Sequence, residues 1–267
     1  MNKNISFEEY LRLNGITNKD YTFYIQKIKE AGVNLENEEE INRYLLEISS
    51  KVADNTFNLI ISSLKKYYEY KGLNIKLPKR RKIRESLPEY IPYEDLENEI
   101  FPIVDCIFKN PLKVKTILLF LFVTGVRKSV IENLRRRDFD LEKRIVRVYE
   151  KKTKEEFIKP LTPKLVEFLK LYFETEPEIK NAFNASVSLI NKIFRKLKPY
   201  YKKANLHPHI FRASLAVHLL KKGMDLRRIQ KILGHKNIDT TAKYLKLTQE
   251  DVINGFEKYF EEGGDKK

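Results

Sequence analysis

Between residues 73 and 92 the apolar spacing that runs through the sequence on either side lapses, and Pro78, Pro88 and Pro92 flank the block Lys79-Arg80-Arg81-Lys82-Ile83-Arg84. Proline removes a backbone donor and like charges repel, so such a stretch neither continues a helix nor packs into a core. The chain on each side must then bury its own apolar surface. Two domains follow, 1–77 and 92–267, joined by a basic linker at 78–91 that phosphates would attract.

The first domain reads as four helices in a small bundle. Phe57, Ile60, Ile61, Leu64, Tyr67 and Tyr68 recur at helical spacing between the capping stretch Asp54-Asn55-Thr56 and the stop at Gly72. Weaker periodicity covers 7–13, 19–31 and 39–49. Tyr10, Tyr21, Phe23 and Tyr24 are read as core rings before they are read as platforms for stacked bases. In the second domain the spacing predicts helices at 93–108, 111–124, 127–134, 162–174 and 186–203. Between them, 145–149 and 157–159 are short β-branched or aromatic stretches on either side of 150–156, which predicts a hairpin. The expected fold class is mainly α with a small β-hairpin or sheet.

Lys and Arg number 52 against 37 Asp and Glu, a net charge of +15. Each lysine or arginine set on a phosphate releases condensed counterions, so a polyanionic partner is expected. A solubilising surface is the bland alternative. Besides Lys79, Arg80, Arg81, Lys82 and Arg84 of the linker, Lys192 and Arg195 lie on a helix whose charges carry one sign, and all seven are candidate DNA contacts. A single cysteine, Cys106, excludes an intramolecular disulfide and suits a reducing cytosol. Glu8 and Glu9 at the N-terminus are unlike a targeting peptide, and the longest apolar run, 117–123, is too short to span a bilayer. A cytoplasmic protein without membrane contact is expected.

Chemistry concentrates in residues 207–244, which hold three of the four histidines. Pro208 suits a first helical position, and apolar residues follow until Gly223, so His209 and Arg212 share a face. Asp225 caps a helix over about 226–233, and Gly234 stops it just before His235. A third short helix carries Tyr244. No phosphate loop and no glycine-rich dinucleotide turn is present. His207, His209 and His235 fit known zinc spacings poorly, with no carboxylate placed beside them. What remains is cationic: Arg127 after the turn Thr124-Gly125-Val126, Arg212, His209, His235 and the hairpin lysines. Such a set suits a phosphodiester whose negative charge grows in a pentacoordinate transition state.

These residues resemble the boxes of the tyrosine recombinases, the integrase and Xer group. Thr124-Gly125-Val126-Arg127, His209-Ile210-Phe211-Arg212 and Leu233-Gly234-His235, with Tyr244 nine residues on, stand in the family's order and spacing. The resemblance spans nearly the whole chain. It implies a helical N-terminal domain that clamps DNA, a catalytic domain over 92–267, and a last helix at about 248–260 that docks into a neighbouring protomer of a homotetramer on synapsed sites. It further implies that Tyr244 attacks the scissile phosphate to form a 3′-phosphotyrosyl link. Arg127, Arg212 and His235 would then hold the phosphate, His209 would accept or relay the phenolic proton, and a hairpin lysine would protonate the departing 5′-oxygen. Counting back from Pro160 assigns that lysine to Lys152, with Lys151 and Lys154 as alternatives. No cofactor, metal or ATP is implied.

Two positions depart from the family pattern. Val130 stands three residues after the first arginine, where an acid is common and for which Glu132 is a possible substitute, and Ala213 follows the second arginine where histidine is common. Other readings stay open, namely a catalytically silent DNA-binding relative and a monomeric type IB topoisomerase-like enzyme. The biological task is open too, between Xer-like dimer resolution and mobile-element integration or excision; a short chain leans toward the Xer branch or a simple integrase.

Overall fold

The computed structural model describes residues 5–83, 88–150, 155–234, 239–242 and 244–245. Three stretches singled out in the sequence therefore lie outside the described residues: Arg84, the turn with Lys151, Lys152 and Lys154, and His235. So does 248–260. The chain divides into two compact units, Met1–Ser86 and Leu87–Lys267.

The first unit contains α1 (Phe7–Leu13), α2 (Asp20–Glu30), α3 (Glu38–Ser49) and α4 (Asp54–Lys71). Ser6 and Glu9 form a reciprocal cap on α1, Asn37 caps α3, and Gly72 ends α4 in the left-handed region. Ile25 and Ile28 of α2, Ile41 and Leu45 of α3 and Phe57, Ile60, Ile61 and Leu64 of α4 make the core, each worth about 1.5–3 kcal/mol on burial. Phe23 departs from the expected core, being 51% exposed.

The basic stretch is partly fastened to this unit. The Arg81 backbone N–H donates to Asn58 Oδ1 (2.7 Å), and its guanidinium donates to Ser49 O (2.9 Å) and Asp54 Oδ1 (3.0 Å). The same group lies 4.0 Å from the Phe57 ring centroid. Arg80 Nη2 donates to Ser62 Oγ at 2.7 Å. Both arginines thus have structural partners, whereas Lys79 and Lys82 are exposed.

In the second unit α5 (Tyr93–Asp95), a π-helical turn (Leu96–Ile100) and α6 (Phe101–Ile107) fill the span expected as one helix. α7 (Pro111–Thr124) is apolar all round, with Ile117 to Phe122 at most 1% exposed, and it packs against α9 (Pro163–Thr175) and α11 (Ile210–Lys221). A helix without a polar face belongs at the centre of a core, and α7 is the axis of this one. α8 covers only Lys128–Ile131, shorter than expected, and a 3₁₀ turn at Arg136–Asp138 follows. The sheet is three-stranded and antiparallel in the order β1 (Phe139–Asp140), β2 (Ile145–Glu150), β3 (Glu155–Pro160). The hairpin is therefore longer than the sequence reading, with pairing out to Glu150 opposite Glu155. α10 (Val187–Leu197) stops short of 203, because Pro199 cannot continue the helix. α12 (Leu226–Leu233) and α13 (Asp239–Ala242) complete the described elements. Among the described residues no helix is long and apolar enough to cross a membrane.

Candidate active site

The ends of α7, β2, α11 and α12 meet in the second unit, and two glycines let them do so. Gly125 closes α7 at φ +60°, and a Cβ there would lie 2.9 Å from the Cδ2 atoms of both Leu215 on α11 and Leu233 on α12. Gly234 closes α12 at φ +66°, where a Cβ would press at 3.1 Å on the Phe157 ring of β3. Both turns need the left-handed region and both approaches leave no room for a side chain.

Arg212, one turn into α11, is 2% exposed. Its Nη1 donates to Gly125 O at 2.7 Å and its Nη2 donates to Leu233 O. One planar fork thereby ties the end of α7 to the end of α12, a geometry that a lysine ammonium cannot copy. Arg127, two residues past Gly125, keeps 27% of its side chain exposed and is ion-paired through Nη1 with Glu150 Oε2. Glu150 ends β2 at 2% exposure, and its other oxygen is 3.9 Å from Arg212 Nη1. Lys159 of β3 is 1% exposed and donates to Ile232 O near the end of α12.

Buried charge sets the electrostatics. Burial, with the repulsion of Arg212 and Arg127 added, pulls the Lys159 ammonium down to about 7. Burial and Arg127 pull Arg212 down to about 10, which leaves it a cation at neutral pH, while Tyr244 acts in the opposite direction. Burial also lowers Arg127. Tyr244 is 9% exposed and packs with Leu215, Ala216, Val217, Ile229 and Leu233. Burial raises its phenol and the Arg212 charge lowers it, so the two groups interact across the site.

Arg127, Arg212 and Tyr244 are thus brought together. His209 is the exposed residue at the head of α11, preceding Ile210, one turn before Arg212. Lys192 and Arg195 are exposed on α10, on the face opposite its buried Ile190, Ile193, Phe194 and Leu197. Glu132 does not take the place of an acid at Val130: its Oε1 accepts from Val187 N, and Val130 is 3% exposed in the core. Ala213 packs beside the Tyr244 cluster. Among the described residues no group of three or more His, Cys, Asp or Glu side chains could hold a metal ion.

Sequence reading missed Glu150 and Lys159. The signal was the strand alternation itself: Val146, Val148 and Glu150 take the buried positions of β2, and Lys159 faces Val146 in the register. A period of two carries an inward face onto whatever residue comes next, charged or not.

Comparison with known proteins shows the family. The model of the phage integrase family matches residues 94–251. The tyrosine recombinase XerA of Thermococcus onnurineus is 30% identical over 267 residues, covering 94% of this chain and 93% of the relative. XerA of Pyrococcus horikoshii is 31% identical over 265 residues, covering 94% and 91%. Among solved structures, a lambda integrase dimer bound to a COC' core site superposes with a TM-score of 0.70 at 18% identity, over 89% of this chain and 74% of that one. At that identity the likeness is one of fold.

Proposed function

Because the chain belongs to the phage integrase family of tyrosine recombinases, we propose that it cleaves and rejoins double-stranded DNA at defined sites through a covalent 3′-phosphotyrosyl intermediate. The observation that carries this reading is the meeting of Arg127, Arg212 and Tyr244 from three separate parts of the chain, where the cations Arg212 and Lys159 are both buried and Glu150 is the buried acid. A buried excess of positive charge is costly alone and is offset when a phosphodiester enters.

In this reading the Tyr244 oxygen attacks the scissile phosphorus. A P–O(Tyr) bond forms and the P–O5′ bond breaks. Burial disfavours the phenolate in the resting state, and the nearby Arg212 charge favours it, so the attacking oxygen sheds its proton as it bonds, with His209 taking or relaying it. Arg127 and Arg212 donate to the non-bridging oxygens, where charge grows. Lys152, outside the described residues as are the alternatives Lys151 and Lys154, returns a proton to the 5′-oxygen. His235 adds a donor to the phosphate. Water is excluded while the ester lasts, and its energy drives rejoining without ATP or metal.

DNA is held by the clamp of 1–77 and the catalytic domain 92–267, with the linker 78–91 along the backbone and Lys79, Lys82, Arg84, Lys192 and Arg195 on phosphates. Of the linker arginines, Arg80 and Arg81 contribute less, since both are engaged by α3 and α4 residues. Residues 248–260 dock into a neighbouring copy, giving a homotetramer on synapsed sites in the cytoplasm. The test is a nicked suicide substrate carrying the chain's own target site, incubated with chelator and without nucleotide. An SDS-stable protein–DNA adduct that disappears in Tyr244→Phe is expected. Wild-type protein that binds the site and forms no adduct refutes the reading, and adduct formation of equal yield on unrelated duplex removes its site-specific part.

A further inference from the structure

Glu150 is the one described carboxylate whose ion pairs reach both arginines of the site. It is no surface acid. β2 points Val146, Val148 and Glu150 inward in turn, at 0%, 0% and 2% exposure, so the strand register fixes the carboxylate in the core beneath the cations. One oxygen takes Arg127 and the other faces Arg212 at 3.9 Å. Arg127 still exposes 27% of its side chain.

Two guanidinium groups aimed at one phosphate repel each other before the phosphate arrives, and burial strengthens that repulsion. Arg212 is held in place by the carbonyls of Gly125 and Leu233, but Arg127 would turn outward to water unless an anion behind it offsets the repulsion. The sequence offers no such anion at Val130, which is apolar and buried, and Glu132 is turned to the head of α10. We propose that Glu150 is a positioning residue for the cleavage reaction: its carboxylate, at the end of β2, holds Arg127 beside the anchored Arg212 where the scissile phosphate binds. Because Glu150 is locked in the sheet, it acts as a fixed brace and does not swing aside to admit DNA.

This rests on the recombinase reading above, and the experiment separates the two. Glu150→Gln keeps shape and removes charge, whereas Glu150→Asp keeps charge and shortens the side chain. The full-length variants are compared with wild type in single-turnover cleavage of the nicked substrate at saturating protein, with DNA affinity measured separately and folding followed by thermal unfolding. Glu150→Gln is expected to slow cleavage by about 10²-fold, the scale of losing one preorganised phosphate donor. Its DNA affinity should be equal or tighter, since an acid has been taken from a basic protein. Glu150→Asp should cleave faster than Glu150→Gln. A purely packing role predicts the reverse order, since glutamine fills the site and aspartate leaves a gap. Wild-type cleavage by Glu150→Gln, or slower cleavage by Asp than by Gln, overturns the inference. If Glu150→Gln does not fold, the Asp variant decides: cleavage within about tenfold of wild type supports the brace, and a folded Asp variant that binds DNA without cleaving overturns it. Absence of any adduct with wild type would instead sink the recombinase reading.

Discussion

Replacing Lys159 with methionine should make the DNA-free protein more stable in mild acid and should lose that advantage in base. Lys159 is buried between Phe157, Arg212, Arg127 and the carbonyl of Ile232, and its ammonium falls from the ordinary 10.5 to about 7. A drop of that size corresponds to about 5 kcal/mol of folding free energy forfeited below pH 7, where both folded and unfolded chains carry the proton. As the pH rises from 7 toward 10.5 the folded amine is already neutral while the unfolded one is still charged. The unfolded state binds more protons there, so stability rises with pH and the penalty fades. Methionine removes the penalty but strands the Ile232 carbonyl, at a cost of about 1–3 kcal/mol. Lys159→Met is therefore expected to exceed wild type by about 2–4 kcal/mol at pH 6, and that difference should shrink by about 3 kcal/mol by pH 9.5. Urea unfolding of both proteins, followed by circular dichroism at pH 6, 8 and 9.5, measures it. A difference that does not move with pH would refute the argument, because packing and hydrogen bonding alone have no reason to titrate in that window.

Gly125→Ala should destabilise the protein by about 2–4 kcal/mol, since it adds left-handed strain to an overpacked contact with Leu215 and Leu233; thermal unfolding checks this, and a loss under half a kilocalorie would mean that the three helix ends yield easily. Two linker residues should separate cleanly. Arg81→Ala removes hydrogen bonds to Ser49 and Asp54 and the stack on Phe57, costing about 1–3 kcal/mol of stability. Lys79→Ala should leave the melting temperature unchanged and reduce the salt dependence of DNA binding by about one counterion. An identical pair of effects from the two substitutions would show that the strap is not divided into a fastened and a free part.

The helical part of the fold was legible because its signals are local. Gly72, Gly125 and Gly234 end α4, α7 and α12 where the spacing stops, and Asp225 caps α12 through its side chain on Arg228 N. Where the sequence reading ran long, a backbone rule decided: Pro199 cut α10 short, and the π-turn at Leu96–Ile100 let a stretch read as one helix hold two α segments. The capping stretch at 54–56 was placed one residue late, with Ala53 as the N-cap and Asp54 already helical. That the basic strap would be partly tied down could not be read, since Arg81 meets Asn58 and Ser49 only once α3 and α4 are packed.

The site divides along the same line. Arg127, Arg212 and Tyr244 could be singled out because they stand in the order and spacing of the tyrosine recombinase boxes, and the structure brings the three together. Glu150 and Lys159 were not, because hydropathy points the wrong way in β3: Ile158 is 64% exposed and Lys159 is 1% exposed. A strand that turns its isoleucine out and its lysine in gives up apolar burial worth about 1.5–3 kcal/mol and adds the desolvation of an amine. The hydrogen bond to Ile232 O offsets only about 1–3 kcal/mol of this in the free protein, where Lys159, Arg127 and Arg212 repel one another. On the recombinase reading, the bound state brings negative charge to that spot and offsets the cost. A phosphodiester entering beside Arg127 would raise the Lys159 ammonium from about 7 toward its ordinary value, so DNA binding near neutral pH should take up protons. Calorimetric titration in two buffers of different ionisation enthalpy reads that uptake directly. Proton uptake present in wild type and abolished in Lys159→Met is the expected result; uptake that survives the substitution would place the titrating group elsewhere and leave the inward lysine without a role in binding.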